Sequence, residues 1–271
     1  MRRSNPLLVA AWRGLMRGGA AHQEFLGMLV LQGVVLAIAW PKSSLYFTLL
    51  GQDGPNTLLA GLLAAAAALC YAALRHGAEE SLLDGQPSML EWAALPTSRP
   101  ANLTLGHLQA QMLVVAYRLL LCTPLLALAL IITPGGLGNL VVAVTNIGLL
   151  ATTCGVAGAA LYVQFGTRGT LVYLGLRLGF AVLVVLPAVA LPDASIVVQT
   201  YAMYVPHSPG ATPEPTLGGW FEHSGLTRHT GPVNAGGIWL VLWHSLALTL
   251  SAAWLRSALG RVRNVETERG E

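Results

Sequence analysis

The sequence predicts an all-α membrane protein with six transmembrane helices, and three features carry that prediction. Of 271 residues, 54% are hydrophobic and only 10% charged, giving a mean hydropathy of +0.61. The apolar residues come in long uninterrupted runs instead of the broken stripes of a soluble core. The basic residues, finally, are segregated between alternate connections, as the positive-inside rule requires.

Crossing the hydrocarbon core takes roughly 17 to 25 apolar residues. Runs at or near that length occupy residues 25–40, 58–74, 111–132, 140–162, 171–191 and 238–254, so the whole chain reads as one transmembrane domain. Ahead of span one, residues 1–24 alternate apolar and basic positions at helical spacing. That segment reads as an interfacial helix, with Leu7, Leu8, Trp12 and Leu15 toward the acyl boundary and Arg13 and Arg17 toward the headgroups. A cleaved signal peptide would also explain Arg2, Arg3 and a short apolar stretch, but no small-x-small cleavage site follows. Span one itself is short and interrupted by Gln32 and Gly33.

The connections differ in length. Spans three and four are joined by "TPGGLGN" and spans four and five by "QFGTRGT", both glycine-rich as tight turns are. Two loops are long, 75–107 and 192–237. The second holds six of the fifteen prolines, which favours extended and turn structure. Its "SIVVQTYAMYV" and "LGGWF" stretches are too apolar for a solvated linker and predict short helices dipping into the interface, with Tyr201, Tyr204 and Trp220 at headgroup level. Residues 257–271 form a polar tail.

Six spans place both termini on one side. The N-terminal arm, the loops after spans two and four, and the tail hold Arg2, Arg3, Arg13, Arg17, Arg75, Arg99, Arg168, Arg256, Arg261, Arg263 and Arg269, whereas the opposite side holds Lys42 and Arg228. Eleven against two puts both termini in the cytoplasm of a multi-pass protein of the plasma, or inner, membrane. No basic patch with interleaved aromatics points to nucleic acid. Cys70, Cys122 and Cys154 all lie within spans, without metal-ligand spacing, and read as small packing residues.

The loop 75–107 departs from its surroundings. Four of the chain's twelve carboxylates, Glu79, Glu80, Asp84 and Glu91, fall within thirteen positions. Ser88 and Glu91 have capping-box spacing, so a helix should start there, display Met89, Leu90, Trp92 and Ala93, and end before Pro96. A second start follows at Ser98, with Pro100 in its first turn, and runs through Leu105, Gly106 and His107 into span three. The plain reading is that the acids solvate a loop and Glu91 caps a helix. The other reading is a docking surface, because a two-turn helix has too little contact to hold itself folded in water without a partner.

The stretch "DGQPSMLEWAALPTSRPANLTLGH" resembles the corresponding loop of type-2 ABC exporter permeases. Asp84, Gly85, Leu90, Glu91, Leu95, Pro96, Ser98, Arg99, Leu105 and Gly106 match positions of that pattern, while Gln86-Pro87 lengthens its first part and His107 stands where lysine is usual. The resemblance covers the chain in topology but only this loop in motif. It implies a cytoplasmic interfacial helix, a coupling helix between spans two and three, a dipping external segment, and transport in the outward direction. No G-x-x-x-x-G-K-[ST] occurs, so the chain has no phosphate cradle of its own and is no enzyme by itself. The resemblance implies a separate cytoplasmic ATPase subunit that binds ATP and Mg. Its docking residues here would be Glu79, Glu80, Asp84, Met89, Leu90, Glu91, Trp92 and Arg99, and a second permease copy or a related chain would complete the route.

Arg118 in span three and Arg177 in span five are ionisable groups inside the bilayer, each either lining a substrate route or serving structure. A route reading favours anionic or amphipathic cargo. Structurally, Arg177 can snorkel to the interface, and Arg118 can bond carbonyls or reach Glu24. Gly175 and Gly179 have the spacing of a close helix approach. His207, His223 and His229, with Glu214 and Glu222, lack the spacing of a metal site. Asn102-Leu-Thr104 matches a glycosylation sequon but falls on the cytoplasmic side. His244 reads as buried and neutral.

Two other functions compete. An ion-coupled secondary transporter would carry carboxylates near the midplane, and spans two to six contain no Asp or Glu. An intramembrane enzyme would need a catalytic pair at one depth, which His244 alone does not make.

Overall fold

The computed structural model describes residues 7–9, 12–13, 19–39, 57–79, 99–132, 137–165, 169–180, 182 and 235–270. Among these, every regular element is a helix. In chain order they are α1 (Gly19–Ala39), α2 (Thr57–Glu79), α3 (Pro100–Ile132), α4 (Leu137–Phe165), α5 (Gly169–Phe180) and α6 (Ala235–Gly270).

Composition explains why these segments are helical. The α2 sequence is mostly leucine and alanine, the strongest apolar helix formers. At the start of α3, the Arg99 carbonyl accepts from the Asn102 and Leu103 amides at 2.9 and 3.1 Å, and Pro100 occupies the first helical position, where a missing N–H costs nothing. The helix spans 33 residues in all, or about 50 Å. Pro124 interrupts its hydrogen-bond ladder, and the neighbouring Thr123 hydroxyl donates to the Leu119 carbonyl at 3.0 Å. Other hydroxyls behave the same way: Thr104, Thr145, Thr152, Thr153, Ser245 and Thr249 each donate to the carbonyl four residues back, which satisfies them within their own helix. Thr57 instead donates to the Ala39 carbonyl at 2.9 Å, tying the end of α1 to the start of α2.

Three of the described helices are long and apolar enough to cross a membrane: Thr57–Gly77, Pro100–Ile131 and Leu140–Phe165. The apolar part of α1, Leu26–Ala39, is shorter. Large apolar side chains face outward along several helices, among them Leu26, Val30 and Ile38 of α1, Leu120 and Ile131 of α3, and Leu246 and Leu250 of α6. A surface of that kind is at home against lipid, not water.

The centre of the bundle is α4, whose residues 150–163 are all buried. It packs against α2, α3, α5 and α6, while α1 lies on α2 and α3. Close approach of α2 and α4 depends on glycine: a Cβ on Gly77 would run into the Gly155 carbonyl. Specific contacts hold the periphery. Trp254 of α6 donates its indole N–H to the Gln164 carboxamide of α4 at 2.9 Å, and Tyr71 of α2 meets Phe180 of α5 edge to face, 6.1 Å between centroids. The residues 257–270, expected as a tail, continue α6 as helix. Of the N-terminal segment, Leu7 packs on the core while Trp12 and Arg13 are exposed.

Candidate functional site

Most residues of the expected docking loop lie outside the described residues: Glu80, Asp84, Met89, Leu90, Glu91 and Trp92 all fall there, as does the segment 183–234. Its two edges are placed. Glu79 is the last residue of α2, and Arg99, exposed, immediately precedes α3. Each edge is thus joined directly to a helix able to cross a membrane.

The two intramembrane arginines separate. Arg177 is exposed on α5, whereas Arg118 is buried on α3. Arg118 belongs to a larger set that the sequence did not single out. His107, Gln111, Arg118 and Cys122 recur at helical spacing, so they share one face of α3, and all four are buried. The opposite face carries Leu105, Met112, Leu120 and Leu128, all exposed. α3 is therefore polar toward the protein and apolar toward its surroundings, the arrangement expected of a helix in lipid.

On this face Gln111 meets a glycine of α4. The Gln111 side chain lies so close over Gly155 that a Cβ there would be 2.6 Å from its Oε1. Eight residues further along α3, Leu119 also meets a glycine, its Cδ1 3.2 Å from a Cβ placed on Gly148. The rising number on α3 against the falling number on α4 fixes an antiparallel register, in which Gln111 meets Gly155 and Leu119 meets Gly148. Gln111 is 1% exposed, and neither atom of its carboxamide has a hydrogen bond. Gln32 of α1 is in the same condition beside the Cys122 thiol, and His244 of α6 is buried with its Nε2 unbonded. Such groups cost about 1–3 kcal/mol each when buried unsatisfied.

No protein-family model matches the chain, and neither a characterised protein nor a solved structure is significantly similar to it. Whatever function the chain has must be argued from its own residues.

The three cysteines are free and buried, and the Cys70 and Cys154 thiols hydrogen-bond each other where α2 meets α4. Full burial in an apolar seam makes thiols inert, which fits packing. Among the described residues no group of three or more His, Cys, Asp or Glu side chains is placed to hold a metal. The spacing of 107, 111, 118 and 122 was a legible signal for the polar face; the long apolar run around it concealed the pattern.

Proposed function

We propose that this chain is the membrane subunit of an ATP-driven transporter, an exporter of the type-2 ABC class, powered by a separate ATPase. In this reading it has six spans, an interfacial helix at residues 1–24 and a coupling helix within 79–99, and it sits in the plasma membrane with both termini in the cytoplasm. A second copy, or a related permease, completes the route. ATP and Mg belong to the partner. When its nucleotide-binding subunits close, they push the acidic segment, and the helices joined to that segment tilt to release cargo outward.

One observation carries most of this reading. The acid-rich segment is anchored at Glu79 to α2 and at Arg99 to α3, two membrane-length helices that pack on each other and on the central α4. Force delivered at either edge, Glu79 or Arg99, acts on a helix that packs against the middle of the bundle. The motif match at Asp84, Gly85, Leu90, Glu91, Leu95, Pro96, Ser98 and Arg99 supplies the class of motor.

Affinity purification of the tagged full-length chain from its native membrane should bring down a Walker-motif ATPase, and deletion of residues 81–98 should release it. Retention of the ATPase after the deletion overturns the docking site. Absence of any ATPase from the intact preparation overturns the function.

A further inference from the structure

We infer that the seam between α3 and α4 opens to admit a polar, negatively charged head group, with Gln111 as the hydrogen-bonding contact. The claim that this head group belongs to transported cargo rests on the transport reading above; the site itself does not.

The seam is built from two complementary rows. On α4, Gly148 and Gly155 stand seven residues apart; on α3, Gln111 lies over Gly155 and Leu119 over Gly148, with Arg118 next to Leu119 in the chain and on the same face as Gln111. Small residues alone would mean only close packing. Here a long carboxamide is aimed into the row, lies against Gly155, is 1% exposed, and has both polar atoms unbonded. Hydroxyls elsewhere in these helices are satisfied by their own backbone, whereas the buried amides of Gln111 and Gln32 are not, and of these two Gln111 is the one that lies on α3 against a glycine of α4. A glutamine retained in this condition offers one donor pair and one acceptor to whatever enters between the helices. Glycine at 155 lets the carboxamide lie directly against the α4 backbone, in space that any side chain there would need. The fixed charge of Arg118, about 10 Å further along the axis, biases the entrant toward negative charge.

The arrangement described is the closed one, since no solvent reaches Gln111. Parting of α3 from α4 exposes it. α3 is also the helix that Arg99 immediately precedes, so it is joined directly to the end of the acid-rich segment.

Thiol accessibility in the full-length chain, in membrane vesicles, tests the inference. In a background carrying Cys70→Ala, Cys122→Ala and Cys154→Ala, single cysteines replace Gln111, the exposed Ala101 and the core residue Ala66. Gln111→Cys should react with small charged methanethiosulfonates, as Ala101→Cys does, while Ala66→Cys stays unmodified. At Gln111→Cys the anionic reagent should react at least tenfold faster than expected from its ratio to the cationic reagent at Ala101→Cys, given a charge about 10 Å away in a partly dry seam. Arg118→Gln should abolish that preference. Separately, Gln111→Met should shift the thermal unfolding midpoint upward, because it removes unsatisfied atoms at nearly constant volume. An unreactive Gln111→Cys, or equal reactivity at Ala66→Cys, overturns the seam. A missing charge preference overturns the anionic head group, and a lowered midpoint for Gln111→Met overturns the unsatisfied amide. None of these outcomes depends on finding an ATPase.

Discussion

Gly77 and Gly155 show how much of this bundle rests on single residues. A side chain at 77 would meet backbone, which cannot rotate aside, so Gly77→Ala must push α2 from α4. Overpacking of that kind costs about 1–3 kcal/mol. At Gly27 and Gly260 a Cβ would meet nothing within 4 Å, and alanine there should be neutral or stabilising by up to about 1 kcal/mol through helix propensity. Unfolding in detergent of the three single variants checks the contrast; equal stabilities would mean that α2 and α4 do not touch at Gly77. At this scale the sequence was only partly legible. Arg118 stood out because a charge in an apolar run is conspicuous. Gln111 did not, since a neutral amide barely changes hydropathy, and its importance comes from Gly155, 44 positions away in the chain.

At the scale of elements, α3 carries the polar residues inward and the leucines outward. Hydropathy averages over a helix and so identifies it as apolar without saying which side faces the protein. The start at Pro100 was readable from proline and serine placement, because caps are local chemistry. The continuation of α6 to Gly270 was not read, as charged residues after 256 resemble a solvated tail equally well. Between elements, the bond from Trp254 to Gln164 pins α6 to α4. A double-mutant cycle with Trp254→Phe and Gln164→Leu should give a coupling of about 0.6 kcal/mol, and not above about 1.7, the range for hydrogen bonds between membrane helices. Strict additivity would show that the bond contributes nothing to docking of α6.

At the scale of the molecule, the distribution of arginine predicts orientation. A cysteine placed at residue 2 or at residue 271 of the cysteine-free chain should be labelled by an impermeant maleimide in inverted vesicles and protected in intact cells. Labelling of either position in intact cells would reverse the assignment or change the number of spans from even to odd. The sequence by itself determined the helical, membrane-embedded character and the segregation of charge. Both are sums over local composition, and neither needs a partner in space. Only the tertiary structure decided that α4 is the centre, that α2 meets it backbone to backbone at Gly77, and that Gln111 lies over Gly155 with its amide unsatisfied. Those facts depend on the register between helices, which is set by how side chains of different segments interlock and is not encoded in the period of any one of them.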